Sequence, residues 1–468
     1  MKYLRSIILM AAALTANVFI SSCSDEENEF TETEIETNEK DVIGPHVGED
    51  VKYEIVSDET LTTEEFIEAV FGKDGANGDE GKEELIRNFR KKQQALSDKL
   101  AAELGSNGLA MGYRSINYTY YSKDAYGNRI LLSARVYWGT YWFFGTYDLD
   151  PDYIVLCPHY TICSNDECPT QTHTPEAMSI CGDNLVIMPD YIGYGQTVDR
   201  LHPYINQKLC AQNSIDALEA GYKVFKDNAD ASMESDWKMY VVGASQGGGN
   251  ALAIHKWLDQ HLDFANNWNF DYSYCCAGPY DPGLTFEKYF EHVKHSLPCV
   301  FPLTIKAMKE AYPEILGKWK EEEFYSKDYV KNHKEEIDEM ISSKKYTLTD
   351  INNKLFTWYS PSFSDGAVKI LEIEITDLLS DEVQDKNSEM YKALMKCLKD
   401  QEVISGWTPT HKIKLYHSEE DDVVPFENAQ AVKDAFGDKV EIFTSGYGTT
   451  GHVATCAKFL GSVLVNNW

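Results

Sequence analysis

Short apolar runs alternate with helical stretches over most of the chain, and this alternation allows only a few folds. The apolar runs, each long enough for one buried strand, lie at 153–157, 184–188, 239–243, 272–277, 412–416 and 440–443. Helical periodicity fills most of the intervals, for example at 211–225 and 250–262. Buried strands that alternate with helices are typical of an α/β protein with a mostly parallel sheet.

Two further regions precede or interrupt this alternation. A hairpin is predicted at 116–138, and an N-terminal helical extension is predicted over 58–112. Between the strands at 272–277 and 412–416, residues 285–405 show helical periodicity and no clear strand. We interpret this stretch as a helical cap inserted into the core, which comprises 113–284 and 406–468. A separate helical domain is the alternative.

The first 22 residues have the character of a bacterial lipoprotein signal peptide. Lys2 and Arg5 precede an apolar stretch that is shorter than a membrane span needs, and small residues then lead to Cys23. We predict cleavage before Cys23 and its lipidation, with an ordinary secretory signal as the alternative. Residues 23–57 are rich in acids, which predicts a disordered tether. The expected location is the outer membrane or the cell surface of a bacterium.

The formal net charge of −32 restricts the partners of the protein. A surface this acidic repels nucleic acid and anionic lipid. We therefore expect no nucleic-acid partner and no membrane contact except through the lipid anchor. Ten cysteines follow Cys23 at scattered spacings without a zinc ladder, and we predict no metal and no cofactor. Cys163 and Cys168 lie close enough on one predicted loop to form a disulfide. The oligomeric state is left open.

Residues 239–250 carry the strongest local signal. An apolar run leads into Gly243-Ala-Ser245-Gln-Gly247, and a helical stretch follows at once. A G-x-S-x-G motif between a strand and a helix indicates a nucleophile elbow, which lifts the serine hydroxyl above the edge of the sheet. We therefore predict that Ser245 is a nucleophile. A glycine-rich turn without chemistry is the alternative.

A nucleophilic serine needs a base, and the base needs an acid that fixes its tautomer. The strand at 412–416 leads into an H-S-x-x-D-x-x-V-P pattern, which favours Asp421 as the acid over Glu419, Glu420 and Asp422. A Gly-His pair follows the last strand and opens the final helix, which favours His452 as the base.

The transition state of such an enzyme also needs two backbone N–H groups as an oxyanion hole. We expect one from Gln246, directly after the nucleophile. The other should come from the loop at 158–161, where Tyr160 and Thr161 are both candidates.

These motifs together resemble those of the α/β-hydrolase superfamily, and in particular its secretory-lipase-like branch of bacterial exported esterases. Outside the predicted triad, the stretches P-D-Y-I-G-Y-G at 189–195, C-A-G-P-Y-D at 276–281 and G-W-T-P at 406–409 also look like that branch. The resemblance covers about 116 to the C-terminus and implies carboxyl-ester hydrolysis beneath a cap. Tyr160 stands where many members have glycine, so the oxyanion hole departs from the family pattern.

The predicted activity is hydrolysis of a carboxylic ester through an acyl-enzyme, on a small-molecule, glycan or lipid substrate. The alternatives are a serine peptidase of the prolyl-oligopeptidase type, an acyltransferase and a non-catalytic surface binding protein. The G-x-S-x-G-G form of the elbow is what the peptidase alternative rests on. Four cap aromatics are candidates for the substrate pocket, although each could instead belong to the core of the cap: Phe286, Phe290, Phe356 and Trp358.

Overall fold

The computed structural model describes residues 43–72, 80–106, 108–291, 294–359, 372–444 and 451–465. The predicted signal peptide, Cys23 and most of the predicted tether lie outside these ranges. Within them, no helix combines the length and the apolar character that crossing a membrane requires.

The described residues form a ten-stranded sheet and a separate two-stranded sheet. The small sheet pairs β9 (Lys294–His295) with β10 (Ile373–Glu374). The strands of the large sheet are β1 (Tyr53–Thr62), β2 (Ala110–Lys123), β3 (Arg129–Trp142), β4 (Thr146–Asp148), β5 (Tyr153–Leu156), β6 (Asn184–Pro189), β7 (Lys238–Ala244), β8 (Phe270–Cys276), β11 (Lys412–His417) and β12 (Val440–Thr444).

The order of the large sheet is β1-β2-β3-β6-β5-β7-β8-β11-β12, and β4 pairs with β3. Pairing is antiparallel from β1 to β6 and parallel from β6 to β12. The predicted hairpin corresponds to β2 and β3. The prediction of a mostly parallel sheet that alternates with helices is confirmed.

Helices cover both faces of this sheet and form the cap. They are α1 (Thr63–Phe71), α2 (Glu80–Leu104), α3 (Pro175–Ile180), α4 (Gln207–Asn228), α5 (Gln246–Gln260), α6 (Leu262–Asn267), α7 (Pro282–Glu291), α8 (Val300–Ala311), α9 (Pro313–Leu316), α10 (Lys327–Asn332), α11 (Lys334–Ser343), α12 (Leu348–Tyr359), α13 (Ile375–Leu378), α14 (Asp381–Gln384), α15 (Glu389–Asp400), α16 (Glu427–Phe436) and α17 (His452–Val465).

The central strands are apolar on both faces because each face is covered. Along β5, Ile154 and Leu156 face one core with α4, α5 and α16, whereas Val155 faces a second core with α1, α2, α3 and α17. Strands covered on both sides read as continuous apolar runs, which is why the sequence displays them so clearly.

The edge strand β1 corrects two predicted boundaries. Residues 53–57, assigned to the tether by composition, lie in this strand, and the stretch assigned to a helical extension contains strand as well as helix. Most of its side chains are exposed, so β1 lacks the apolar alternation that reveals a strand. Backbone pairing with β2 holds it, together with an ion pair of 2.7 Å between Arg114 and Asp58.

Helices α7 to α15 lie between β8 and β11 and form the inserted cap. The cap has an apolar core of its own, which includes Phe301, Ile337 and Leu398. Tyr204 and Ile205 of the main domain belong to the same core, so the cap packs directly on the main domain. The small sheet of β9 and β10 within the cap was not predicted, because strands of two residues leave no periodic pattern.

Candidate active site

The turn between β7 and α5 holds Ser245 in a strained conformation. Its φ of 56° and ψ of −121° are unusual for a residue with a side chain, at a cost of about 1–3 kcal/mol. A Cβ on Gly243 would lie 2.2 Å from the carbonyl oxygen of Gly247, and one on Gly247 would lie 2.2 Å from that of Pro158. Both flanking glycines are therefore required by close backbone contacts, and the nucleophile-elbow geometry is present.

A chain of hydrogen bonds joins the three residues predicted as a triad. Nε2 of His452 lies 2.8 Å from Oγ of Ser245, and its Nδ1 lies 2.9 and 3.1 Å from the two carboxylate oxygens of Asp421. An ionised carboxylate only accepts, so the proton sits on Nδ1 and the lone pair of Nε2 faces the serine hydroxyl. In this tautomer His452 can remove a proton from Ser245.

Burial and neighbouring charges shift the pKa of Asp421 in opposite directions, and the same holds for the pKa of His452. Burial alone raises the pKa of Asp421, but the neighbouring rings of His452 and His417 lower it well below its ordinary value. Burial alone lowers the pKa of His452, but the Asp421 carboxylate outweighs this, and the pKa lies well above 6.5. The side chain of Asp421 is fully buried, so solvent does not screen the attraction.

Two backbone N–H groups fix the carboxylate of Asp421. Its Oδ1 accepts from the N–H of Val423 at 3.0 Å and of Val424 at 2.8 Å. The buried His417 ring supports the same loop, because its Nε2 donates to the carbonyl oxygen of Val424 at 2.8 Å. The Asp421 carboxylate is thus held in place, with one oxygen bonded to the backbone.

The neighbouring Asp422 has a different position, which the sequence did not predict. Its Oδ1 accepts the backbone N–H of His452 at 2.8 Å, and its Oδ2 accepts the hydroxyl of Ser296 in the cap at 2.6 Å. Asp421 therefore contacts the ring of His452, while Asp422 anchors its backbone and ties it to the cap. Glu419 and Glu420, the other predicted alternatives, are exposed.

Two of the oxyanion candidates, Tyr160 and Thr161, lie on the loop that packs against the start of α5, and the third, Gln246, is the first residue of that helix. The backbone N–H of Tyr160 donates to the buried Glu176 at 3.4 Å. The N–H groups of Thr161 and Gln246 have no acceptor among the described residues. Burial raises the pKa of Glu176 to about 7.

The side chain of Gln246 is held by a neutral histidine. Nδ1 of His202 donates to the carbonyl oxygen of Ile192 at 2.8 Å, so its Nε2 accepts from the Gln246 amide, also at 2.8 Å. Burial lowers the pKa of His202 to about 3, which keeps the ring neutral. The side chain of the residue after Ser245 is thereby fixed.

A thiol also approaches His452. Sγ of Cys456, one turn along α17, lies 3.9 Å from Nε2 of His452. A hydrogen bond with Cys276 and the charge of His452 lower the pKa of Cys456 to about 5. Cys163 and Cys168, which the sequence left as a possible disulfide, are both free thiols, and Cys163 neighbours Cys299.

A pocket opens beside Ser245 beneath the cap. Of the four predicted pocket aromatics only Phe286 lines it, so the assignment of the other three is corrected. Phe290 packs on Tyr391, with ring centres 5.5 Å apart, and Phe356 and Trp358 pack against the core of the cap. Helical periodicity shows that such residues are inward-facing, but it does not distinguish the core of the cap from its lower surface.

Solved structures with the same architecture exist at low sequence identity. A ligand-bound form of the rice cell wall degrading esterase LipA from Xanthomonas oryzae aligns with a TM-score of 0.62 and 17% identity, covering 88% of this chain and 96% of that one. A protein of Legionella pneumophila described as a hydrolase aligns with a TM-score of 0.59 and 16% identity, again over 88% and 96%. No protein-family model and no curated protein matches the sequence. The chain has the α/β-hydrolase fold, as the sequence predicts.

Proposed function

We propose that the protein is a serine hydrolase that cleaves carboxylic esters through an acyl-enzyme. The observation that carries this proposal is the chain of hydrogen bonds from Ser245 through His452 to Asp421, in the tautomer that makes His452 a base. The strained elbow supports it because it presents the hydroxyl of Ser245. The helix that begins at Gln246 supports it because its N-terminus favours the negative charge that develops on the ester oxygen.

The proposed reaction has two halves. His452 takes the proton of Ser245 as Oγ attacks the ester carbonyl, and then gives that proton to the departing alcohol. In the second half, His452 takes a proton from water, the hydroxide attacks the acyl-enzyme, and the proton returns to Ser245. Asp421 stays ionised throughout and stabilises the imidazolium.

For the oxyanion hole we propose the backbone N–H groups of Gln246 and Thr161. The N–H of Tyr160 is already engaged by Glu176, whereas that of Thr161 has no acceptor among the described residues. Tyr160, at the position of the usual family glycine, would then shape the loop without donating to the oxyanion.

The peptidase alternative loses its main support in this geometry. A Cβ on Gly248 would lie 2.3 Å from the carbonyl oxygen of Cys276, so the second glycine of the elbow is explained by close packing of α5 on β8. The likeness in fold to an esterase is compatible with ester cleavage. We therefore favour esters over peptides and find no feature that favours a binding protein.

The test is hydrolysis of p-nitrophenyl esters of increasing acyl length, alongside aminoacyl p-nitroanilides, by the wild type and by Ser245→Ala. We expect ester turnover by the wild type, with a loss of about 10⁴- to 10⁶-fold in the variant. Faster turnover of the anilides would favour the peptidase, and no turnover of either would favour the binding protein.

We further propose, from the sequence of residues 1–57 alone, that the protein is an exported lipoprotein anchored through Cys23. Several acyl chains bind a membrane firmly, whereas the unlipidated protein has no such anchor. Cys23→Ala should therefore move the protein from the membrane pellet to the soluble fraction. A variant that still pellets after a carbonate wash would contradict this anchor.

A further inference from the structure

The pocket beside Ser245 has no charged lining. Its volume is about 410 Å³, including the part open to solvent. The lining is apolar apart from Ser245, Gln246 and four hydroxyl-bearing side chains, and its aliphatic part includes Ile205, Leu297, Val300 and Val423. An ionised group would lose its hydration there without gaining a counter-charge, so the pocket favours an uncharged substituent.

Three of the four lining hydroxyls are already engaged. Tyr204 pairs with the hydroxyl of Thr161 at 3.3 Å, Thr285 donates to the carbonyl oxygen of Asp281 at 3.0 Å, and Tyr289 donates to that of Val423 at 2.5 Å.

Thr304, on helix α8 of the cap, is the exception. It is fully buried, and its hydroxyl has no hydrogen-bond partner among the described residues. A threonine within a helix commonly satisfies its hydroxyl with the carbonyl oxygen one turn earlier, here that of Val300, but Thr304 does not. A buried hydroxyl without a partner is unfavourable, and a valine of the same shape would avoid that cost. Thr304 also lines the pocket, where a bound molecule could supply the missing partner.

We propose that Thr304 donates a hydrogen bond to an oxygen of the substrate, and that the natural ester carries a small, uncharged, oxygen-bearing substituent in this pocket. This inference rests on the proposed ester hydrolysis and adds the chemical class of the substrate. An ether, hydroxyl or carbonyl oxygen fits the requirement, whereas a plain alkyl chain leaves the hydroxyl of Thr304 unpaired. The substituent belongs either to the acyl group or to the alcohol.

The experiment compares esters in which one methylene is replaced by oxygen. For the acyl side, the pairs are p-nitrophenyl methoxyacetate with butanoate and p-nitrophenyl 3-methoxypropanoate with pentanoate. For the alcohol side, the pair is 2-methoxyethyl acetate with butyl acetate. The quantity is the ratio of kcat/KM for the oxygen ester to that for its methylene partner, in the wild type, Thr304→Val and Thr304→Ser. Dividing variant ratios by the wild-type ratio cancels the intrinsic reactivity of each ester.

We expect Thr304→Val to lower this ratio about three- to tenfold on one side of the ester, the acyl side or the alcohol side, and Thr304→Ser to keep it. Thr304→Val should also unfold at an equal or higher temperature than the wild type, which shows that the lost selectivity is not a folding defect. Ratios that stay within about twofold for every pair would overturn the inference. A wild type that cleaves none of these esters would instead overturn the proposed function.

Discussion

The hydrogen bonds around Asp421 determine what happens when this residue is replaced by asparagine. Oδ1 accepts two backbone N–H groups, at 3.0 and 2.8 Å, so the amide oxygen must occupy this position. The amide nitrogen must then replace Oδ2, which lies 2.9 Å from Nδ1 of His452. Because two N–H groups cannot face each other, the ring has to move its proton to Nε2, where it faces Ser245.

A ring that is protonated on Nε2 cannot accept the serine proton. We therefore expect kcat of Asp421→Asn to fall about 10³- to 10⁴-fold, which corresponds to about 4–5.5 kcal/mol of activation free energy. KM should change little, since Asp421 does not line the pocket. The assay is steady-state hydrolysis of p-nitrophenyl butanoate, with thermal unfolding as the check that the variant is folded.

Asp422→Asn is the matched control. Its amide oxygen can still accept the backbone N–H of His452, and its amide nitrogen can donate to Ser296, so both contacts survive. We expect kcat within about fivefold of the wild type. An active Asp421→Asn beside an inactive Asp422→Asn would refute the assignment of the acid.

Further variants test the base, the pH dependence and the pocket. His452→Ala should lower kcat further than Asp421→Asn does, because it removes the base itself; an equal or smaller loss would count against His452. The neutral form of His452 is the active one and its pKa is raised above 6.5, so kcat/KM should fall as the pH drops through a value above 6.5. The Cys456 thiol contributes to the raised pKa of His452, so Cys456→Ala should move this acid limb to lower pH; an unchanged limb would show that the thiol does not act on the ring. Phe286→Leu should change the kcat/KM ratio of pentanoate to butanoate about threefold or more, while Trp358→Leu, outside the pocket, should not; equal effects would reject the pocket assignment.

Two kinds of feature are predicted best from the sequence: patterns that repeat along the chain, and structures that a single short motif specifies. The strands that are buried on both faces stand out as apolar runs, and the elbow around Ser245 needs its glycines within five residues. The order of strands then places the loops of Asp421 and His452 at the same edge of the sheet. The structure brings these three side chains into hydrogen-bonded contact, and their catalytic roles stay predictions.

The missed features depend on contacts between distant segments. Asp422 gains its role only because the final helix and the cap both reach it, from His452 and from Ser296. Glu176 engages the oxyanion loop across 16 residues, and nothing local marks it. The cap aromatics share one periodicity, so only the packing separates Phe286 from the rest. The exposed strand β1 has the composition of a tether because its stability comes from backbone pairing.

The most direct test of the central claim is covalent capture of the nucleophile. The wild type is treated with a fluorophosphonate, digested and mapped by mass spectrometry, in parallel with Ser245→Ala and with His452→Ala. The proposed mechanism predicts a single modified peptide that contains Ser245, no adduct in Ser245→Ala, and labelling slowed by orders of magnitude in His452→Ala because the hydroxyl is no longer activated. An adduct on another residue, or equal labelling of the Ser245→Ala protein, would contradict it.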